Sequence, residues 1–483
     1  MPFSAHPNAC IKECPMPTPV TPRALALSTL LSIEQGKYGN IAVDTTLRRH
    51  PMSDADRHLY TALVYGVTER KTTLEFLLST VSSRPVSELD DTVRTALMMG
   101  LYQLIYLDRV PDHAALDETV SLVPRRVSGF VNAVLRAYLR MEAALPADAE
   151  GHRPPRESKL QAPEEWINRF PALGEDPMKA LAVCVGIPVP MCAVFVEALG
   201  YDRAASVLSA FGDKPPITLR VNTQKTTKEA LAASLRNSGL TPAPALYADT
   251  ALRVSEGAVT ATPAFEAGEC FVQDEASQLC VAALDARPGH TVVDTCACPG
   301  SKSFGIALSM GNEGQVFSFD LHKSKLSLIA SGAERLGISI ISVGERDART
   351  PDPSLLGVCD RVLCDVPCSG LGVLSKKPEI RHKDLSESAR LPAIQAAILE
   401  ASSAYVKPGG VLVYSTCTIL PAENERVVSA FLSAHPEFIP AEFAFPAADP
   451  TVRDVVSEGG MVTLYPDENR TDGFFIAKLR RLP

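Results

Sequence analysis

Residues Gly409–Thr418 read GGVLVYSTCT. Pro408 and the two glycines close a helix-like segment, and Val411, Leu412, Val413 and Tyr414 follow as a short apolar run. A run of this length between breakers suits a strand buried in a parallel sheet. Cys417 comes directly after it, where open α/β sheets carry their chemistry, at the carboxyl ends of strands. Upstream, the run Arg361–Cys364 ends in the same manner, in Asp365-Val-Pro-Cys368-Ser-Gly-Leu-Gly. A lone cysteine is most often a small buried hydrophobe. Two at strand ends, one beside an aspartate, point to chemistry.

The rhythm around these runs is strand, loop, helix. From about Ala286 it gives strands at Thr291–Asp294, Val316–Phe319, Ile338–Val343, Arg361–Cys364 and Val411–Tyr414. Such alternation predicts a doubly wound, mostly parallel α/β sheet over 286–483. Met461–Tyr465 and Gly473–Leu479 are expected as a closing antiparallel pair. After the first strand comes Asp294-Thr-Cys-Ala-Cys-Pro-Gly-Ser-Lys302, a strand-to-helix turn that offers backbone N–H groups to a ligand. It is neither GxGxxG nor GxxxxGK[ST], which argues against a dinucleotide or a triphosphate. Asp320 closes the second strand, where a carboxylate accepts from ribose hydroxyls. Asp347 lies past the third, placed to accept from an adenine amino group. Each aspartate alone reads as a cap or turn residue. With Asp365, three carboxylates at successive strand ends describe a site for a nucleoside without a pyrophosphate, such as S-adenosylmethionine.

Ahead of the sheet the pattern changes twice. Residues 21–145 are helical. Val93, Ala96, Leu97, Gly100, Leu101, Leu104 and Ile105 recur at helical spacing, as do Val127, Phe130, Val131, Val134, Leu135, Tyr138 and Leu139. Residues 146–160 are polar and rich in proline and charge, a linker composition. A helical section packing through Trp166 and Phe170 completes 146–212. Residues 213–285 read as a small α+β domain, with a strand at Ile217–Asn222, a helix at Thr226–Ser238, short strands up to Val272 and a helix at Gln273–Leu284 that leads into the largest domain.

The 483 residues exceed one core and suggest about three domains. With 46% hydrophobic and 21% charged residues, the chain has ordinary globular composition. No apolar run approaches the ~18 residues of a membrane span, and the Pro-rich residues 1–20, read as a flexible tail, lack a signal-peptide core. Cytoplasmic residence without membrane association is expected. The 12 cysteines show neither a disulfide rhythm nor paired metal-ligand spacing, so no metal is expected, and Cys10 and Cys14 read as incidental. A net charge of −9 argues against a broad nucleic-acid-coating surface and leaves local patches. Lys376-Lys-Pro-Glu-Ile-Arg-His-Lys383 is one such patch, either a solvated loop or a substrate-facing one.

These motifs together resemble the Sun/RsmB (Nop/Sun) family of RNA cytosine-C5 methyltransferases. DTCACPGSK is similar to its CAAPGGK loop, CDVPCSG and YSTCT to its paired-cysteine motifs, and KKPEIRHK to its RP-acidic-basic segment. LRVN, FVQDEASQL and DGFFIAKL match further segments. YQLIYLDRVPDHAALDETV and GFVNAVLRAYLR resemble the NusB-like RNA-binding domain of the bacterial RsmB branch. Cys298 and Ser301 depart from the family loop, and a Cβ at Ser301 costs affinity if that position needs positive φ.

The resemblance implies three folded parts: an all-α NusB-like domain, a small α+β, RRM-like RNA-binding subdomain and a Rossmann-like class I methyltransferase domain. It implies that Cys417 is the nucleophile adding to cytosine C6, with Cys368 assisting C5 proton removal and release and Asp365 at the base edge or the cofactor. Cofactor contacts are expected from Cys296, Ala297, Cys298, Pro299, Gly300, Ser301, Lys302, Asp320, Asp347 and Asp365. Lys302 either holds the flipped nucleotide or solvates the loop. DNA cytosine methyltransferases attack with the Pro-Cys cysteine, here Cys368, but the second motif Ser415-Thr416-Cys417 favours the RNA-type arrangement. The implied function is S-adenosylmethionine-dependent formation of 5-methylcytosine in small-subunit (16S) rRNA, by a monomer with protein partners open. A tRNA or other rRNA cytosine is the alternative within that chemistry. A non-catalytic RNA-binding assembly factor is the rival of another class, and retention of both cysteines and the three aspartates argues against it.

Overall fold

A computed structural model describes residues 21–145, 157–386 and 388–483. The expected tail, with Cys10 and Cys14, and most of the expected linker lie outside these residues. The chain divides into two compact units, one up to Ser158 and one of Lys159–Pro483.

The first unit is all-helical among the described residues. Its helices are Pro22–Glu34, Gly39–Arg49, Asp54–Glu69, Lys71–Val81, Asp91–Tyr106, Asp112–Ser121 and Arg125–Ala143. The apolar stripe read from Val93 to Ile105 is buried throughout, on the helix Asp91–Tyr106. In Arg125–Ala143 the inward face is Val131, Val134, Leu135 and Tyr138, so that helix is amphipathic.

The second unit holds two sheets. Strands β1 (Ile217–Val221), β2 (Pro242–Pro244), β3 (Ala251–Val254) and β4 (Cys270–Val272) form an antiparallel sheet in the order β2-β3-β1-β4. The helix Lys228–Asn237 crosses between β1 and β2, which run parallel with β3 between them, a split β-α-β arrangement.

The larger sheet comprises β5 (Thr291–Asp294), β6 (Gln315–Asp320), β7 (Ile341–Glu345), β8 (Cys359–Asp365), β9 (Val406–Thr416), β10 (Phe438–Pro440), β13 (Met461–Leu464) and β14 (Phe474–Arg481). Two short strands outside it, β11 (Ala444–Phe445) and β12 (Val455–Val456), pair with each other. Five strands are parallel in the order β7-β6-β5-β8-β9, and β14 joins β9 antiparallel, with β13 and β10 on its far side. The chain leaves β5 towards β6 on one side and β8 lies on the other. That reversal opens the crevice at the carboxyl ends of β5 and β8 where such sheets bind ligands. The helix Glu275–Leu284, read on sequence as leading into the largest domain, buries Ala276, Leu279, Cys280, Val281, Ala283 and Leu284 in the core of this sheet.

Two boundaries differ from the sequence reading. Pro408, Gly409 and Gly410 end no helix: the helix is Leu391–Ser403, and β9 has begun by Val406. Cys359 pairs with Val406 and Arg361 with Val411, so residues 407–410 bulge out of register, where a proline without N–H and two glycines are tolerated. The third strand starts at Ile341, not Ile338. Gly337 (φ 75°) caps the preceding helix, and Ile338–Ile340 form the connection.

The helices Pro177–Val185, Val189–Leu199 and Tyr201–Ala210 pack around Phe195 and Phe211 and extend that core to Leu371, Leu374 and Ile419. They therefore support both cysteine-bearing loops from beneath. The first two form an apolar pair bent by 107°, and no single helix among the described residues is long and apolar enough to cross a membrane.

Candidate active site

Strand β8 ends at Asp365 and β9 at Thr416, so the two motifs leave adjacent parallel strands side by side. This brings Cys368 Sγ within 3.2 Å of Cys417 Sγ. The loops are tied across the gap. Gly372 N–H donates to the Cys417 carbonyl at 2.9 Å, and the Ser369 and Thr418 hydroxyls meet at 3.0 Å. Gly473 N–H donates to the Gly372 carbonyl, and a Cβ on Gly372 would lie 1.8 Å from the Gly473 oxygen, so only glycine allows this approach.

The two thiols are electrically unequal. Cys417 is held below the ordinary thiol range, first by the hydrogen bond from Cys368 and then, against burial and Asp365, by the Lys302 and Lys377 cations. Cys368 is raised well above it by that same bond, by burial and by the Glu423 carboxylate. The thiolate belongs on Cys417 and the proton on Cys368.

Asp365 closes β8 and receives two bonds, from Lys302 Nζ at 2.7 Å and Ser415 Oγ at 2.7 Å. Lys302 also lies 5.2 Å from the Phe474 ring centroid. Burial alone would lower the lysine, but the Asp365 carboxylate outweighs it and keeps the ammonium charged. Lys302 is thus no solvated loop residue.

The loop after β5 lies across the sheet ends. Thr295 N–H donates to the Leu363 carbonyl and Ala297 N–H to that of Phe319. Asp320 accepts from the backbone N–H of Cys298 at 3.3 Å and of His322 at 2.9 Å. Gly300 has φ 108°, and a Cβ there would strike the Phe304 ring at 2.6 Å. Pro299, joined to Cys298 by a cis peptide, precedes it, and Ser301 opens the helix Ser301–Ser309 without positive φ, so its Cβ costs no strain. Cys296 is partly buried and packs against the sheet core, and desolvation there pushes its thiol well up, so it is a packing residue. Asp347 lies two residues past β7 and pairs with Arg349 at 2.6 Å, a contact that holds its carboxyl down at about 2. Among the described residues its carboxylate bonds Arg349 and none of the other candidate residues.

This architecture was compared with known proteins. Residues 281–480 match the model of the 16S rRNA methyltransferase RsmB/F family, residues 20–140 that of the NusB family, and residues 191–260 the ferredoxin-like domain of RsmF/B-like methyltransferases. The "Probable ribosomal RNA small subunit methyltransferase B" of Bacillus subtilis is 35% identical over 466 residues, 95% of this chain and 98% of its own. The chain belongs to the RsmB/F family of 16S rRNA methyltransferases. Its Synechocystis relative of the same description is 34% identical, over 96% of this chain and 100% of that one. The crystal structure of PH0851 shares the fold, with a TM-score of 0.74 and 23% identity, covering 97% of this chain and all of that one. The NusB-like and Rossmann-like parts expected from sequence are thereby present, and the small α+β part expected as RRM-like matches a ferredoxin-like domain.

The RsmB/F-family cofactor is S-adenosylmethionine, and the crevice fits it. Asp294 is fully buried at the end of β5, with one oxygen bonded to Ser303 Oγ at 2.7 Å and the other, Oδ1, without a partner. The Asp320 carboxylate stands at the next strand end.

Other residues escaped the sequence reading. Glu423 is buried and accepts from Ser369 N–H at 3.0 Å and Gln395 Nε2 at 2.8 Å. Ser415 and Lys377 act on Asp365 and Cys417 as described. Only proximity to the YSTCT motif in sequence could have marked Glu423. The KKPEIRHK segment is not one substrate-facing patch. Arg381 is buried and donates to the carbonyls of Leu374, Val185 and Phe211, and Lys376 is held by Asp274 and, at 2.9 Å, Asp472. Lys377 and Lys383 remain exposed. Among the described residues, no group of three or more His, Cys, Asp or Glu is placed to hold a metal.

Proposed function

We propose that this methyltransferase forms 5-methylcytosine in small-subunit rRNA through a covalent bond between Cys417 and cytosine C6. The observation that carries the reading is the thiol pair at 3.2 Å with its proton biased to Cys368. Cytosine C5 is a weak nucleophile. Addition of the Cys417 thiolate at C6 makes the base an enamine and C5 nucleophilic. Bound S-adenosylmethionine supplies the electrophilic methyl group. Once Cys368 has given up its own proton on addition of Cys417, it takes the C5 proton as thiolate. The C5–C6 double bond then re-forms, Cys417 leaves as thiolate and the product is released.

The remaining residues orient. Asp365 accepts from the exocyclic amine at the N3/N4 edge, and Lys302 fixes its carboxylate and supports Cys417 as thiolate. The backbone of Cys296–Lys302, with Asp320 at the ribose and Asp347 and Asp365 at the crevice rim, holds the cofactor. The target base must be unpaired or flipped to reach two half-buried thiols. The substrate follows from the relatives' description as small-subunit methyltransferases, and cytoplasmic residence follows from that substrate.

The test pairs two variants. With unmodified 16S rRNA and labelled cofactor, Cys417→Ala is expected to abolish transfer. Cys368→Ala is expected to leave RNA attached to protein in denaturing gels. Normal transfer by Cys417→Ala overturns the assignment, and label confined to tRNA or 23S rRNA overturns the substrate.

A further inference from the structure

The peptide on each side of Cys368 is held by a buried side chain that the reaction as described does not use. Gln395, fully buried on the helix Leu391–Ser403, donates from Nε2 to the Pro367 carbonyl at 3.0 Å, the residue before Cys368. Glu423, 3% exposed, accepts through Oε2 from the N–H of Ser369, the residue after it. The two meet each other, Gln395 Nε2 to Glu423 Oε2 at 2.8 Å, and Tyr414 O–H donates to the Glu423 carbonyl at 2.6 Å. Elements 28 and 54 residues distant in sequence therefore close around one cysteine.

A buried carboxylate is costly unless paired, and no cation among the described residues bonds Glu423. Its acceptor oxygen serves two neutral N–H donors, so its charge remains to act on its surroundings. The groups facing the Cys368 thiol are Cys417 from the end of β9, Glu423 from the following turn, the Gly370 N–H of its own loop and Tyr414 from within β9. Lys302 and Lys377 act on Cys417 instead. Glu423 thus stands on the Cys368 side, while Lys302 and Lys377, opposed by Asp365, stand on the Cys417 side.

We propose that Gln395 and Glu423 form a clamp that positions Cys368 and keeps a proton on its sulfur, making it the acid partner of the Cys417 thiolate. Neither touches substrate, so both are positioning residues. The inference rests on the two-cysteine reading above, and the test separates them. Glu423→Gln keeps an acceptor oxygen for Ser369 and Gln395 but removes the charge. In a Cys417→Ser background, the pH profile of iodoacetamide alkylation at Cys368, read by peptide mass, is expected to move to lower pH by about one unit, a tenfold rise in thiolate. A merely structural residue would not move this midpoint, and an unchanged midpoint overturns the clamp whatever Cys368 does in catalysis. In the native background, Gln395→Met is expected to lower kcat at least tenfold at unchanged KM while protein-bound RNA accumulates. Normal turnover by Gln395→Met likewise overturns it. A shifted midpoint with no bound RNA in Cys368→Ala would retain the clamp and reject the release step.

Discussion

Asp294 shows what a single group costs this fold. It is fully buried, and burial pushes its carboxyl up to about 7, against the Ser303 hydrogen bond. The unfolded value is near 4. Between those values the native state binds the proton that the unfolded chain has lost, so stability from this group is complete below pH ~4 and falls as pH rises to about 7. Asp294→Asn removes that dependence because the amide cannot ionise. The difference in Tm between variant and parent is expected to grow in the variant's favour from pH 5 to pH 7.5 and then level. A difference independent of pH would show that Asp294 is ionised in the fold. Cofactor affinity is expected to fall in the same variant, since an Nδ2 in place of an oxygen turns an acceptor into a donor at the crevice.

At the scale of elements, the LRVN segment joins the two sheets of the second unit. Asn222, fully buried, donates from Nδ2 to the carbonyls of Gly268 and Leu336, each at 2.8 Å, and Lys225 Nζ donates to those of Ala267 and Arg335. The last carbonyls of a helix lack intrahelical partners, and here another domain's side chains supply them. Asn222→Ala leaves two buried carbonyls unpaired. The expected loss is about 2–4 kcal/mol in urea unfolding, with faster amide exchange near Gly337. A loss below about 0.5 kcal/mol would mean that water takes over both bonds. This element also marks how far sequence reading reaches. The strand ends bearing Cys417, Asp365 and Asp320 were legible because apolar run and breaker are local signals. Asn222 was visible only as part of a resemblance. Gln395 carries no local signal and Glu423 only its nearness to YSTCT, because their partners are fixed by the sheet order. The same reason hid Arg381, whose acceptors Val185 and Phe211 lie 196 and 170 residues away. Pro408–Gly410 read as a helix end because a bulge is defined by the neighbouring strand.

The whole molecule carries 47 basic and 56 acidic residues, yet its family acts on RNA. Attraction to phosphates must therefore be local. The helix Arg125–Ala143 offers the clearest place. Arg126, Gly129, Ala133, Arg136 and Arg140 recur on one face and are exposed, opposite the buried Val131, Val134, Leu135 and Tyr138. Folding explains little of this stripe. Arg125 and Arg126 occupy the first turn, where the helix dipole disfavours cations. Gly129 costs helix stability relative to alanine, although a Cβ there would meet nothing within 4 Å. A smooth basic ridge suits an RNA backbone in close approach. Replacing Arg126, Arg136 and Arg140 with alanine is expected to raise KM for rRNA with kcat unchanged, and to flatten the salt dependence of binding by about two to three in log–log slope. Tm should change little, because none of the three is buried. An unchanged salt slope would remove this face from the RNA path. A lost kcat at constant KM would instead tie the helical unit to the chemical step.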